Sequence, residues 1–282
     1  MTENTETQKE TDVVFHIRRY SPEIDKEPYW QAFTVHVEPG MVVLDGLHWI
    51  REMQDPSLTF RYSCRMGVCG SCGMLLNGRP YLACSTQILD IARKDLTIAS
   101  LPNLDIIKDL VPDLTPFFEK HVSIHPYVVR DDDDEMLNPT GEFYQSTDEL
   151  ISYLQFTYCI KCVLCISACP TLATDRDYIG PQALTQAYRY SKDTRDDGFS
   201  LRKNMVGSTH GAFRCHYAGE CSNVCPKGVD PARAIQLMKR DLVLDYLKLR
   251  RRKVKSHVCS RREVVVRPPE IPQAPRFTVD QK

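Results

Sequence analysis

Eleven of the twelve cysteines in this 282-residue chain fall into three tight groups, and that placement constrains the fold more than any other feature. The groups are Cys64, Cys69, Cys72 and Cys84; then Cys159, Cys162, Cys165 and Cys169; then Cys215, Cys221 and Cys225, with Cys259 alone in the tail. Several thiols on one loop oblige the backbone to wrap around whatever the sulfurs hold. Disulfide scaffolds explain such density in small secreted chains. This chain is much longer, and its N-terminus, Met1-Thr-Glu-Asn-Thr-Glu-Thr-Gln-Lys-Glu10, lacks the apolar stretch of an export signal. Metal or redox chemistry is the better reading.

A hydrophobic content of 42% with 26% charged residues suits two domains, each with its own core. No run of about 18 apolar residues occurs, so a chain that spans no membrane and stays in a cytoplasm-like compartment is expected. The net charge of -1 exerts no overall pull on nucleic acid, and no nucleic-acid partner is expected.

The predicted fold is α+β: an N-terminal β-grasp domain with a plant-type ferredoxin loop, then an all-helical domain of bacterial-ferredoxin type. Val13–Tyr20 and Gln31–Val37 read as strands joined by the turn-rich Ser21-Pro-Glu-Ile-Asp25. Val42–Met53 carries apolar positions at 43, 46, 47 and 50, one face of a helix. Asn77-Gly78 between Met74–Leu76 and Tyr81–Ala83 signals a second hairpin, since both turn residues tolerate positive φ. The acidic run Asp131–Glu135 and Asn138-Pro-Thr-Gly141 read as an exposed connection. Beyond it, Ser146-Thr-Asp-Glu149 forms a capping box, and Asp230-Pro231 opens a helix toward Arg250. The expected units are residues 1–125, a linker at 126–145, a helical unit at 146–250 and a basic, proline-rich tail at 251–282.

Cys64-x4-Cys69-x2-Cys72-x11-Cys84 has the spacing of the plant-type [2Fe–2S] ligand loop. Gly67, Gly70 and Gly73 stand among the ligands, where the backbone must take unusual dihedrals and bring N–H groups near sulfur. A structural zinc site is the bland alternative, but it ordinarily pairs two C-x2-C elements. The second group, Cys159-x2-Cys162-x2-Cys165-x3-Cys169-Pro170, is the bacterial ferredoxin run, whose fourth cysteine ligates the other cluster of a pair. Its partner is Cys215 to Cys225-Pro226, the same frame with alanine at 218 where a second ligand would stand. Exchange of the fourth cysteines assigns Cys159, Cys162, Cys165 and Cys225 to a [4Fe–4S] cluster. Cys169, Cys215 and Cys221 remain as three thiolates, which suit a [3Fe–4S] cluster or a [4Fe–4S] cluster with water or hydroxide on the open iron. Helix-spaced buried cysteines with no cluster are the structural alternative, and Cys259 is most simply a spare thiol.

This combination resembles the iron–sulfur subunit of succinate:quinone oxidoreductases, the succinate dehydrogenase/fumarate reductase family. The resemblance rests on Ser63-Cys-Arg-Met-Gly-Val-Cys-Gly-Ser-Cys-Gly73, on Cys159 to Pro170, and on Cys225-Pro-Lys-Gly-Val-Asp-Pro231 with Ala234-Ile-Gln236. It implies a chain without its own dicarboxylate site, passing electrons one at a time from the FAD of a flavoprotein subunit to a membrane quinone, in respiration and the tricarboxylic acid cycle. The implied order is FAD, [2Fe–2S], [4Fe–4S], [3Fe–4S], quinone. The implied partners are the flavoprotein and a hydrophobic anchor of one or more subunits, with or without haem b. The implied location is the cytoplasmic face of the inner membrane, held peripherally through the anchor.

Carried over position by position, the resemblance places a quinone site at Pro170, Thr171, Thr174, His216 and Lys239. Many family members that use ubiquinone have tryptophan where this chain has Thr174, which weighs against ubiquinone and toward menaquinone. For His216 a satisfied structural histidine is the alternative, and for Lys239 a solvated surface lysine. Lys248-Leu-Arg-Arg-Arg-Lys-Val-Lys255 reads either as a contact to anionic lipid or as cations completing a helix C-terminus. The same clusters would also serve fumarate reduction in the reverse direction or a free-standing ferredoxin-like shuttle, which would purify without partners. A zinc-stabilised binding protein would be colourless.

Overall fold

The computed structural model describes residues 11–138, 140–249 and 258–259. The first strand, β1 (Thr11–Arg19), pairs antiparallel with β2 (Tyr29–Val37), matching Val13 with Val35 and Phe15 with Phe33. Alternation puts Val13, Phe15 and Ile17 on the inner face, each fully buried, while charged neighbours face out. Helix α1 (Val43–Met53) covers that face with Val43, Leu44, Leu47 and Ile50. Gly46 permits the close approach: a Cβ there would lie 2.7 Å from the Phe15 ring. A tight turn with positive φ at Asn77 and Gly78 joins β3 (Gly73–Leu76) to β4 (Arg79–Leu82), as expected. After the short α2 (Ile88–Ile91), β5 (Asp95–Ala99) enters the middle of the sheet, parallel to β1 and antiparallel to β3. The strand order is β2-β1-β5-β3-β4, a mixed sheet with one covering helix, and β5 is an element the sequence reading missed.

A small pair, β6 (Ile106–Lys108) with β7 (Val111–Pro112), precedes α3 (Thr115–Ser123), which leaves the sheet and packs on the helical half. Buried Asp109 closes this corner. It accepts from Arg19 Nε at 2.9 Å, from Tyr20 N–H at 3.1 Å and from Thr59 N–H at 2.9 Å, fixing the strand that leads into the first cysteine loop.

The segment at 126–145 holds α4 (Asp133–Leu137) and β8 (Glu142–Phe143), and it is not a free connection. Its entry is strapped to the helical half. Arg202, fully buried, donates to the carbonyls of Ile124, His125 and Tyr127 and pairs with fully buried Asp196 at 2.7 Å. Asp196 in turn accepts the Val129 N–H at 2.9 Å. A buried guanidinium has five donors to satisfy, and the carbonyls of an irregular strand supply acceptors that a helix cannot.

The helical half comprises α5 (Thr147–Thr157), α6 (Leu164–Ser167), α7 (Pro170–Thr174), α8 (Pro181–Lys192), α9 (Phe199–Val206), a 3-10 turn at Ala212–Arg214, α10 (Glu220–Asn223) and α11 (Pro231–Tyr246). Ser146 and Glu149 form the expected capping box, and the Asp230 side chain accepts the Arg233 N–H at 2.9 Å. Helix α8 lies at the centre, against α5, α9 and α11. α11 ends at Tyr246, short of the expected Arg250. The tail is not wholly irregular: β9 (Val258–Cys259) returns to pair antiparallel with β8. Most of the basic stretch from Lys248 to Lys255, and the rest of the tail, lie outside the described residues.

Candidate iron–sulfur centres

The first cysteine loop is built for sulfur acceptance. Positive φ at Arg65, Gly67 and Gly70 turns successive N–H groups inward. Cys64 Sγ receives the N–H groups of Met66, Val68 and Cys69 at 3.2–3.4 Å, and Cys84 Sγ receives that of Gly67 at 3.3 Å. Cys84 arrives just beyond β4, and Cys72 just before β3, so the hairpin closes the set. Cys69 is exposed. Burial alone would raise its thiol, but hydrogen bonds from Ser71 and from Cys64 outweigh it and bring Cys69 down to about 6. Cys72, buried beside Cys84 and Cys69, is pushed up to about 12.

The two helical frames are near copies of one another. Positive φ at Lys161 and Val163 recurs at Tyr217 and Gly219, and short helices, α6 and α10, follow each. Non-glycine residues with positive φ cost about 1–3 kcal/mol each and persist where surrounding structure demands them. In this matched backbone Ala218 stands where Cys162 stands.

Two cavities open between the frames. One, of about 400 Å³, is lined by Cys159, Cys162, Cys165 and Cys225 with Gln182 and Thr185 of α8. The other, of about 310 Å³, is lined by Cys169, Cys215 and Cys221 with Ala218, Thr171 and Tyr178. Burial drives Cys162 and Cys221 up to about 12 and Cys165 well above the usual thiol value, with neighbouring thiols adding to the rise. Such thiols ionise only beside compensating positive charge, which iron provides. The eleven cysteines of the three groups are all free. Grouped thiols around these cavities, with N–H groups aimed at sulfur, are the donor set that iron–sulfur clusters require, so these residues fit the groups.

Several residues absent from the sequence reading complete the centres. Gln182, 1% exposed, reaches Cys159 Sγ with Nε2 at 3.9 Å and His121 Nδ1 at 3.3 Å. Tyr178 stands in the wall of the second cavity with Cys169, Cys215 and Cys221, its hydroxyl interacting with the Cys215 thiol and completing no hydrogen bond of ordinary geometry among the described residues. Burial, then those thiols, hold the phenol strongly protonated. Asn103 of the N-terminal half donates to the carbonyls of Ile166, Ser167 and Cys169 at 3.0–3.1 Å. No local pattern marks these three, because each acts through a partner distant in sequence.

Gly70 was singled out for its dihedral, and tertiary contact gives it a second reason. A Cβ at Gly70 would lie 2.8 Å from Cys162 Cα and Cβ, and one at Gly73 would lie 3.1 Å from Cys162 O. The first loop therefore rests its backbone directly on the second frame.

The five residues carried over for a quinone are only partly brought together. Pro170 and Thr171 line the cavity that holds Ala218. Thr171 is buried, with its N–H and hydroxyl bonded to the Cys169 thiol. Thr174, His216 and Lys239 are not in that lining. Thr174 is exposed and its hydroxyl turns back to Thr171 O at 3.1 Å. His216 is exposed, and half-buried Lys239 donates to Cys215 O at 2.9 Å, holding the peptide that joins Cys215 to His216. Among the described residues, no helix is long and apolar enough to cross a membrane.

Comparison with known proteins agrees with this geometry. Residues 14–119 match the family model of a 2Fe-2S iron-sulfur cluster binding domain, and residues 155–229 that of a 4Fe-4S dicluster domain. The chain is 44% identical over 227 residues to the fumarate reductase iron-sulfur subunit of Mycobacterium tuberculosis, covering 80% of this chain and 91% of the relative. It is 38% identical over 231 residues to the succinate dehydrogenase iron-sulfur subunit of Paracoccus denitrificans, covering 81% and 87%. A chain of the Mycobacterium smegmatis Sdh1 complex in the apo form superposes with a TM-score of 0.72 at 28% identity, covering 84% of this chain and 97% of that one. The chain belongs to the iron–sulfur subunits of succinate dehydrogenase and fumarate reductase, the electron-carrying component of an oxidoreductase complex.

Proposed function

We propose that this subunit relays electrons from the FAD of a flavoprotein partner to a membrane quinone. In this reading Cys64, Cys69, Cys72 and Cys84 hold a [2Fe–2S] cluster within residues 1–125. Cys159, Cys162, Cys165 and Cys225 hold a [4Fe–4S] cluster, and Cys169, Cys215 and Cys221 a [3Fe–4S] cluster, within residues 146–250. When bound, the clusters supply one-electron steps that divide the two-electron exchange of a flavin. The observation that carries the third assignment is the matched backbone of the two helical frames, in which a methyl group at Ala218 replaces the thiol of Cys162.

The protein's own residues do the rest. Gly70 and Gly73 let the first loop lie on Cys162, which shortens the gap between the first two centres. Lys239 fixes the peptide beside His216 at the outer edge of the third. Quinone access at Pro170, Thr171, Thr174, His216 and Lys239, with menaquinone favoured by Thr174, and peripheral attachment to a hydrophobic anchor at the cytoplasmic face belong to the same reading. Fumarate reduction is the second reading, favoured by the 44% identity to a subunit named for that activity.

EPR of the purified complex under redox titration, with the native quinone identified, tests both. Three signals are expected, one of them present in the oxidised state and lost on one-electron reduction. A third signal of reduced [4Fe–4S] type in its place would overturn the [3Fe–4S] assignment. Normal quinone reductase activity in Lys239→Ala would remove that lysine from the quinone site.

A further inference from the structure

Two side-chain hydroxyls inside the described protein face the cavity of Cys169, Cys215 and Cys221 from buried positions, Thr171 and Tyr178. The first is already engaged with the Cys169 thiol. Tyr178 is 1% exposed, and its oxygen makes no hydrogen bond of ordinary geometry among the described residues although it interacts with the Cys215 thiol; a buried hydroxyl left unpaired costs about 1–3 kcal/mol. A native structure rarely carries that cost without a partner that arrives with a ligand.

The backbone that carries the ring is over-determined. Tyr178 follows α7 in a loop tied at both ends. Asp175 accepts from Arg214 Nε at 2.7 Å and pairs with His210 Nδ1 at 3.2 Å, joining the loop to the segment that leads into Cys215. Lys120 of α3 donates to Tyr178 O at 2.9 Å, and Ile179 N–H donates to His210 O at 2.9 Å. These contacts fix the Tyr178 main chain, and the ring itself is buried. It stands at the wall of the cavity that the three cysteines line.

We infer that Tyr178 sets the potential of the third centre by donating its O–H to sulfur of the group held there, either Cys215 Sγ or a cluster sulfide. The inference rests on the proposed third centre. Reduction adds one negative charge to the cluster and its thiolates. An O–H donor fixed in a water-poor cavity stabilises the more negative state more strongly, so it raises the potential. The terminal centre is thereby made the place where the electron rests before it leaves the chain. Gln182 plays the corresponding part at Cys159 through an amide, but there the donor is shared with His121.

The test uses Tyr178→Phe in the intact complex. The substitution removes one oxygen that makes no hydrogen bond of ordinary geometry among the described residues and keeps the ring, so the fold and the other two centres should be unaffected. The third centre's midpoint is expected to fall by roughly the equivalent of a tenfold change in its reduction equilibrium, about 59 mV for one electron. The [2Fe–2S] and [4Fe–4S] midpoints should stay in place. Pulsed EPR of the third centre in H2O and D2O supplies an independent readout: wild type should show a strongly coupled exchangeable proton that Tyr178→Phe lacks. An unchanged midpoint, or an exchangeable coupling that survives the substitution, overturns the role of Tyr178 while leaving the centre itself intact. Absence of any third signal in wild type overturns the centre as well.

Discussion

The first cysteine loop and the helical half solve the same problem, holding several thiolates together, by different means. In the loop Cys64 and Cys69 sit nearer the surface than buried Cys72 and Cys84, and backbone N–H groups meet the sulfurs, with Cys64 accepting three. In the helical half backbone N–H groups also approach the thiols, that of Leu164 at Cys162, of Leu172 at Cys169, of Ser222 at Cys221 and of Lys227 at Cys225, but burial outweighs them and raises the thiols. A loop of glycines can offer its own amides because its backbone is not committed elsewhere. The helical centres add side chains from distant elements, such as Gln182 and Tyr178, to the amides of their own frames. The lesson is that the loop carries its ligand chemistry locally, whereas the helical centres are inseparable from the packing around them.

Ligand replacement should separate the two most sharply. Cys162→Ser is expected to abolish the [4Fe–4S] signal and expose the helical half to proteolysis, since a cluster missing from the middle of that core leaves its walls unsupported. Cys69→Ser should disturb the [2Fe–2S] spectrum alone and leave the protease pattern unchanged. Equal proteolytic damage in both variants would break the contrast.

Next in size is the strap between the halves. Arg202→Met leaves fully buried Asp196 without the Arg202 counter-charge and removes the side-chain donor from the Ile124, His125 and Tyr127 carbonyls. The loss should be about 3–5 kcal/mol, visible as a lower Tm of the helical half with the [2Fe–2S] spectrum retained. Gly70→Ala tests the one place where the two modes touch. The methyl group meets Cys162 backbone at 2.8 Å and the residue must hold positive φ, so a loss of about 1–3 kcal/mol is expected. Weaker magnetic interaction between the first two centres should accompany it, measured as slower spin relaxation. The smallest effect belongs to Gln182→Leu. It removes the amide donor at Cys159 Sγ and should lower the [4Fe–4S] midpoint, while the first and third midpoints hold.

Where the sequence was legible, a local rule was at work. The Asn77-Gly78 turn, the Ser146–Glu149 box and the Asp230-Pro231 start are all contacts within a few residues, and each stands in the structure as read. The connection at 126–145 is expected from polar composition, but its tie through Tyr127 O to buried Arg202, 75 residues onward, has no local signal. The strand at Val258–Cys259 escaped notice for the same reason, since two residues make a strand only when Glu142–Phe143 lies beside them.

What the sequence determined by itself, then, was the inventory: eleven thiols in three frames, one frame with a methyl group at Ala218 where its twin has sulfur. Spacing suffices for that, because a loop of three or four residues can bring its own cysteines to one point. Tertiary structure alone decided how the centres adjoin and what surrounds them: Gly70 lying on Cys162, Gln182 at Cys159 and Tyr178 beside Cys215. Those contacts join residues far apart in the chain, and a hydrogen bond or a van der Waals approach depends on distances that only the packed fold sets.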